Sequence, residues 1–146
     1  MRQTLVFTAL LAAAGLSGAR AQTAADSAAI RATAHDYIDG WYDGDGARME
    51  RALHPHLAKR LVFDDQNGHS HLANISALEL VQSTRAGVGK IPAAQWRDSV
   101  TILDFFGNAA MVRIDATTWV DFLEEVKWNG KWMIINVVWV NRPQAH

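Results

Sequence analysis

Residues 119–140 read WVDFLEEVKWNGKWMIINVVWV, in which two apolar-rich segments flank an Asn-Gly pair at 129–130. Asn-Gly in this setting predicts a β-hairpin, because a type I′ turn requires positive φ at both central residues, which glycine adopts freely and asparagine tolerates. A two-residue turn also sets the register of the strands that it joins. The predicted pairs, read backward from the turn, are Trp128 with Lys131, Lys127 with Trp132, Val126 with Met133, and finally Phe122 with Val137.

The segments before this hairpin predict an α+β fold, with helices first and strands afterwards. Apolar residues at spacings of three and four indicate helices, and alternating apolar and polar residues indicate strands. Ser76 and Glu79 form a capping-box pattern at the start of the third helix. We expect the helices to cover one face of a curved antiparallel sheet. The predicted helices span 26–43, 47–56 and 77–85, a short hairpin spans 59–65 and 69–74, and two strands span 100–105 and 109–118.

The N-terminal residues predict export. A basic start and an apolar stretch at 5–16 are followed by small residues on both sides of Arg20, the pattern of a secretory signal peptide cleaved after Ala21. The apolar stretch is shorter than the roughly 20 residues that span a bilayer, which disfavours a membrane anchor. We therefore expect a signal peptide at 1–21, a single domain at 22–146, and a periplasmic or secreted location.

The composition of the predicted mature chain limits its partners. It has 12 basic and 15 acidic residues, and hence a net charge of −3 with histidine neutral. No basic patch with interleaved aromatic residues is present, so we do not expect nucleic acid as a partner. The chain has no cysteine, so no disulfide can supplement its core, to which six tryptophans contribute much of the area.

Three segments carry a family resemblance: YIDGWYDGD at 37–45, MERALHP at 49–55 followed by LAKR at 57–60, and VKWNGKWMIINV at 126–137. Together they resemble the putative lumazine-binding family of the nuclear transport factor 2-like (SnoaL-like) superfamily. The resemblance implies a cone, in which three helices close a strongly curved antiparallel sheet around a pocket, and a dimer formed through the outer face of the sheet. It leaves the function open, since this superfamily includes isomerases, cyclases and dehydratases as well as proteins that only bind or assemble.

The last predicted strand is apolar on both faces. This pattern favours burial of one face inside the molecule and of the other in a homodimer, although the curl of the sheet alone could also cover both. Asn136 is a polar residue in the row that also holds Ile134 and Val138. A buried amide needs partners, so Asn136 either bonds a ligand or satisfies a neighbouring backbone group.

Asp115 is a candidate catalytic residue. Arg113, Asp115 and Thr117 share one face of the strand before the hairpin. If that face looks into the pocket, Asp115 is a general base or a ligand anchor, with Tyr37 or Tyr42 as a hydroxyl donor. If it faces solvent, Arg113 and Asp115 form an exposed ion pair of little energetic consequence.

The histidines form two His-x-His pairs, His54 with His56 and His69 with His71. Four imidazoles could bind Zn²⁺ or Cu²⁺. However, Pro55 interrupts the first pair, and neither a cysteine nor an evident carboxylate lies nearby in sequence, so we predict no metal site and no cofactor. His54 is a second candidate acid/base, and its structural alternative is to cap the end of the second helix.

Tyr37 and Trp41 lie one helical turn apart and form a candidate aromatic wall for a flat heterocycle, although the same spacing is typical of plain core. We expect Trp119, Phe122 and Asn136 to complete a pocket between the first helix and the sheet. The leading hypothesis is an exported homodimer that binds a small apolar or aromatic molecule. The alternatives are an isomerase, cyclase or dehydratase with an acid/base in the pocket, and an association module without catalysis.

Overall fold

The computed structural model describes residues 7–143, with side chains described from Thr23 onward. The predicted signal peptide at 1–21 therefore lies outside the residues whose side chains are described. Among the described residues, no helix is both long enough and apolar enough to cross a membrane. The elements in chain order are α1 (Phe7–Asp43), α2 (Gly46–Ala52), β1 (Leu53–Asp64), β2 (Ser70–Ser76), α3 (Ala77–Arg85), a 3₁₀ turn (Ala93–Gln95), β3 (Asp98–Phe106), β4 (Ala109–Ala116), β5 (Trp119–Trp128) and β6 (Lys131–Asn141).

The six strands form one mixed sheet in the order β2-β1-β6-β5-β4-β3. Neighbouring strands are antiparallel except β1 and β6, which run parallel. The α+β class and the order of helices and strands agree with the prediction. The parallel pairing of β1 with β6 was not predicted, because all neighbouring strands of a simple meander are antiparallel. It joins the short N-terminal hairpin to the C-terminal strands, so that β1 and β6 lie side by side in the middle of the sheet.

The Asn-Gly turn has the predicted type I′ geometry, with φ of 49° at Asn129 and 80° at Gly130. The three residue pairs nearest to the turn are also as predicted. Further back the register moves by one residue, so that Phe122 pairs with Val138 and not with Val137.

The cause is a β-bulge at Ile135, since Glu124 pairs with Asn136 while Glu125 pairs with Ile134. One extra residue reverses the direction of every later side chain in β6. Ile134 is therefore fully buried before the bulge, whereas Val137 is buried after it. The prediction of one continuous face through Ile134, Asn136 and Val138 was wrong for this reason.

The starts of α2 and α3 agree with their sequence signals, whereas α1 begins at Phe7, well before its predicted start at Asp26. The Asp45 carboxylate accepts hydrogen bonds from the first amides of α2 at 2.9 and 3.1 Å, and α3 begins with the predicted reciprocal capping box of Ser76 and Glu79. However, α2 ends at Ala52, four residues before its predicted end at His56. Pro55 explains the difference, because proline disfavours helical backbone at the residue before it as well as removing its own N–H donor.

Helix α1 packs along the inner face of the sheet. Ile30, Ala34 and Ile38 on this helix are fully buried. Two side-chain bonds to the sheet backbone hold it in place, from Arg31 to the carbonyl of Val100 at 3.0 Å and from Thr33 to the carbonyl of Trp132 at 3.1 Å. Further core residues come from α2, α3, β1, β4, β5 and β6, among them Met49, Leu53, Leu57, Leu80, Val81, Val112, Ile114, Leu123, Trp132, Ile134 and Val137.

Candidate functional site

A cavity of about 170 Å³ lies between α1, α3 and the sheet. Its wall is mainly aromatic and aliphatic, because the C-terminal turns of α1 place aromatic side chains opposite inward-facing tryptophans of β5 and β6. The lining residues are Tyr37 and Trp41 from α1, Lys59 from β1, Ile75 from β2, Leu80 from α3, Trp119 from β5, and Trp139 and Asn141 from β6.

Asp121 is the centre of a buried polar cluster that includes three residues of the cavity lining, Tyr37, Lys59 and Trp119. The Lys59 ammonium donates to Asp121 Oδ1 at 2.9 Å and to the Tyr37 hydroxyl at 2.5 Å. Asp121 Oδ2 accepts from the Tyr37 hydroxyl at 3.1 Å and from the Trp119 indole N–H at 2.6 Å. Asp121 is fully buried, so these three donors replace the water that a carboxylate otherwise needs.

The Lys59 ammonium also lies against two aromatic rings, 4.8 Å from the centroid of Trp139 and 5.2 Å from that of Tyr37. These are cation–π distances. An ammonium has three N–H donors, and Asp121 and Tyr37 take two of them. These two acceptors therefore leave one N–H of the ammonium without a hydrogen bond to either of them.

Burial raises the pKa of the Tyr37 phenol well above its usual value, and the neighbouring Asp121 carboxylate raises it further. Both causes disfavour the phenolate, since one removes water from it and the other adds a like charge nearby. Tyr37 therefore keeps its proton and remains a hydrogen-bond donor at neutral pH. The cluster thus contains an ammonium, a phenol and a carboxylate within hydrogen-bonding distance of one another.

Of the predicted site residues, Tyr37, Trp41 and Trp119 lie together on the cavity wall. Asp115 and Phe122 do not. Two arginines bind Asp115, Arg113 at 2.7 and 2.9 Å and Arg142 at 2.6 Å, and the Arg113 guanidinium lies over the Phe122 ring. These residues are on the outer face of the sheet, and Arg113 first and Arg142 second lower the pKa of Asp115.

Asn136 and His54 also lie away from the cavity. The Asn136 amide donates to Glu124 at 2.7 Å on the outer face, where the β6 bulge places it. His54 belongs to β1, because α2 ends early, and its ring contacts the edge of Trp128 at 5.1 Å. Asp115, His54, Phe122 and Asn136 are therefore not brought together with the aromatic wall.

The two His-x-His pairs occupy opposite ends of the β1–β2 hairpin. His54 and His56 are near the start of β1, whereas His69 and His71 follow its end. His69 and His71 approach one carboxylate oxygen of Asp65 at 3.5 and 3.2 Å. A carboxylate partner is thus present after all, but the four imidazoles do not converge.

Sequence reasoning missed Lys59, Asp121 and Trp139, which form much of the site. Lys59 stands inside the LAKR segment that carried the family resemblance, yet no role followed from its position. Asp121 alternates with Val120 and Phe122, and this alternation indicates that Phe122 is inside and Asp121 outside. The structure has the reverse arrangement: Asp121 is fully buried, whereas Phe122 is exposed on the outer face.

Glu125 is a second buried acid on the inner face of β5. It is fully buried, and neither of its carboxylate oxygens has a hydrogen-bond partner among the residues whose side chains are described. Burial raises the pKa of Glu125 to about 9, so the side chain is neutral at pH 7. Glu125 is absent from the cavity lining.

Similar solved structures support the fold. A crystal structure of a nuclear transport factor 2-like protein of unknown function from Shewanella baltica superposes with a TM-score of 0.67 at 20% identity, covering 83% of this chain and 97% of that one. A second such protein, from Silicibacter pomeroyi, gives a TM-score of 0.68 at 18% identity over 82% and 98%. A protein of unknown function with a cystatin-like fold, from Nostoc punctiforme, gives 0.60 at 16% identity over 83% and 94%.

At these identities the likeness shows the fold alone. The chain has no significant match among curated proteins. A family model described as "Putative lumazine-binding" matches residues 25–140, which is most of the chain. The chain therefore belongs to the putative lumazine-binding family and has the nuclear transport factor 2-like fold.

Proposed function

We propose that this protein is exported, forms a homodimer and binds a small, flat, largely apolar molecule in the cavity between α1 and the sheet. The observation that carries the proposal is the cavity wall, on which Trp41, Trp119 and Trp139 surround a volume of about 170 Å³. Pockets for drug-sized ligands measure roughly 300–1,000 Å³, so this cavity suits a smaller molecule. Aromatic walls favour a planar ligand, because rings stack on rings.

The polar cluster gives the ligand a preferred orientation. Lys59 and Asp121 neutralise each other, so the cavity does not require a charged ligand. The remaining Lys59 N–H offers one hydrogen bond to an acceptor such as a ring nitrogen or a carbonyl oxygen. A planar heterocycle with an acceptor on its edge satisfies both the wall and the cluster. Lumazine, the compound in the family description, has this chemistry and is the natural first probe.

Export and dimerisation rest on separate observations. The N-terminal pattern at 1–21 supports export to the periplasm or the medium. The outer face of the sheet supports a dimer, since it exposes large apolar side chains on neighbouring strands, among them Phe122 and Val138. Neither property is needed for the cavity to bind a ligand.

The test is a titration of the mature protein with lumazine, followed by tryptophan fluorescence. We expect saturable quenching, and we expect Trp41→Leu to weaken binding about tenfold, since loss of an aromatic contact costs on the order of 1 kcal/mol. Trp128→Leu is the matched control, because Trp128 is 54% exposed and absent from the cavity lining. Equal affinities of the two variants for lumazine would exclude the cavity as the binding site. Native mass spectrometry of the protein purified from its host would show a retained ligand of a different class.

The polar cluster also favours a second function, that of an isomerase, cyclase or dehydratase. A phenol, an ammonium and a carboxylate in mutual contact at an apolar cavity can donate and accept protons at a bound substrate. Such an enzyme would use Tyr37, Lys59 and Asp121 in place of Asp115 or His54. Tyr37→Phe separates the two functions, because it removes one hydroxyl and keeps the ring. If Tyr37→Phe loses turnover but still binds the ligand, the protein is an enzyme that uses this hydroxyl. If the variant keeps both turnover and binding, Tyr37 has no part in catalysis.

A further inference from the structure

Three potential metal ligands meet where α1 crosses the start of β3. His35 and Asp39 lie one turn apart on α1, and Asp98 is the first residue of β3. One ligand atom from each residue lies within 4.8 Å of the other two, and all three residues are half-buried. This group is distinct from the cavity lining. It also differs from the His-x-His pairs that the sequence singled out.

The two carboxylate oxygens of Asp39 have different surroundings. Oδ2 accepts a 2.7 Å hydrogen bond from Arg48 Nη2. Oδ1 is buried and has no hydrogen-bond partner within residues 23–143. The His35 Nδ1 atom lies 3.6 Å from this oxygen, which is too long for a hydrogen bond. A buried carboxylate oxygen without a hydrogen-bond donor costs free energy, and His35 approaches Oδ1 only at ion-pair distance.

The spacing of these atoms fits a shared metal ion. Atoms that coordinate zinc at about 2.0–2.2 Å in a tetrahedral site lie roughly 3.4 Å from each other. The 3.6 Å between His35 Nδ1 and Asp39 Oδ1 is close to this value. Asp98 completes the set, with a carboxylate oxygen within 4.8 Å of both atoms. The His35 side chain is 43% exposed, so a metal ion and a water ligand can reach the group from solvent.

The surrounding contacts fix the ligands in place. Arg48 holds the Asp39 carboxylate through Oδ2 and leaves Oδ1 free. The Tyr42 hydroxyl donates to the carbonyl of Arg97 at 2.9 Å, which ties α1 to the residue before Asp98. Hydrogen bonds that orient metal ligands are typical of metal sites in proteins. The juxtaposition of the two elements therefore does not depend on the metal.

We propose that His35, Asp39 and Asp98 bind a divalent transition metal of the zinc class, with solvent in the remaining coordination position. One imidazole nitrogen and two carboxylate oxygens suit Zn²⁺ or Co²⁺, whereas Ca²⁺ and Mg²⁺ prefer sites made of oxygen alone. The two carboxylates supply the charge that the ion neutralises. The bound metal links α1 to β3. The site is independent of the proposed cavity ligand.

The test uses tag-free mature protein, with Zn²⁺ measured by titration calorimetry and Co²⁺ by its visible absorption. We expect one ion per chain and at least a tenfold loss of affinity in Asp98→Asn, which removes a ligand charge without changing the side-chain shape. Asp104→Asn is the matched control, because Asp104 is an exposed acid on the same strand. Circular dichroism checks that both variants keep the fold.

A second pair of variants tests the histidine. His35→Gln should weaken Co²⁺ binding and change its absorption spectrum, whereas His56→Gln, at an exposed position on β1, should do neither. The competing explanation is a simple ion pair between His35 and Asp39, which predicts no saturable metal binding. That result, or equal affinities in Asp98→Asn and Asp104→Asn, would overturn the proposal. Binding that is lost only in His71→Gln would place the ion beside Asp65 and would also overturn it.

Discussion

The polar cluster at the cavity depends on Asp121. Its carboxylate is fully buried and compensates the Lys59 ammonium, whose side chain is only 9% exposed. Asp121→Asn keeps the shape but leaves the lysine charge buried without a counter-charge. Breaking a buried ion pair from one side costs about 3 kcal/mol or more. We expect a loss of this order in the free energy of unfolding, measured by urea denaturation.

Asp115→Asn is the control for Asp121→Asn. Asp115 also pairs with cations, but on the outer face, where its side chain is 29% exposed and water can replace the lost contacts. The loss of stability should therefore be much smaller than in Asp121→Asn. Equal losses would mean that the Lys59–Asp121 pair is solvated, and the cluster could then not orient a ligand as we propose.

Glu125 makes stability depend on pH. Its pKa is raised to about 9 in the folded protein, while an unfolded glutamate has a pKa near 4.5. Between these values the folded state holds a proton that the unfolded state has lost, so stability falls as pH rises. The contribution is fully present below pH 4.5 and disappears as pH rises to about 9.

Glu125→Gln should remove this dependence, because glutamine is neutral at every pH. We expect the free energy of unfolding of the wild type to fall relative to that of Glu125→Gln by about 1 kcal/mol per pH unit between pH 5 and 9. Urea denaturation at several pH values measures the difference. Glu124→Gln, on the outer face, should leave the slope unchanged. Parallel curves for the wild type and Glu125→Gln would show that the Glu125 carboxyl is solvated.

The sequence also failed to predict which side chains of β5 point into the molecule. An alternating strand predicts which residues share a face, and Asp121 and Glu125 do share one. Which face is buried has to be inferred from polarity, on the assumption that apolar residues point inward. Here Phe122 is 36% exposed while both acids are fully buried. The inward acids thus violate the general pattern, as residues of functional sites often do.

At the scale of elements, local signals were the dependable ones. The I′ turn at 129–130 and the capping box at Ser76 depend on a few adjacent residues, and both are present as predicted. The bulge at Ile135 and the parallel pairing of β1 with β6 depend on packing between distant segments. No short motif encodes either of them. Asn136 was therefore predicted on the pocket side and lies outside.

The loop after α3 supports the helix that carries the aromatic wall. A Cβ atom added at Gly89 would lie 2.1 Å from the indole ring of Trp41. Gly89→Ala should therefore push this ring out of its position on the cavity wall, at a cost of roughly 1–3 kcal/mol for overpacking. We expect a changed near-UV circular dichroism spectrum, a lower unfolding free energy and weaker lumazine binding.

Gly46→Ala serves as the control for Gly89→Ala. The added methyl group would meet the side chain of Arg85, which is 55% exposed and can move into solvent. Its near-UV spectrum and lumazine affinity should remain those of the wild type. An unchanged spectrum in Gly89→Ala as well would show that Trp41 has room to move, and the cavity wall would then be less rigid than the structure indicates.

At the scale of the whole molecule, the outer face of the sheet is the surface through which we propose that the protein dimerises. Val138 and Val140 on β6 are 50% and 53% exposed, and they pair with Phe122 and Val120 on β5. Exposed apolar side chains on adjacent strands are typical of association surfaces. In a two-fold dimer both subunits contribute the same surface to the interface. A charge introduced by one substitution is therefore present twice.

If the protein forms the homodimer that we propose, Val138→Lys should convert it to a monomer, measured by sedimentation velocity over a range of concentrations. The two lysines would carry like charges into an apolar interface, where desolvation adds to their repulsion. Val88→Lys adds the same charge at a valine that is 69% exposed in the loop after α3, and it should remain dimeric. A monomeric wild type, or a dimer that persists in Val138→Lys, would exclude this face as the interface. Lumazine binding should survive in the Val138→Lys monomer, because Val138 is absent from the cavity lining.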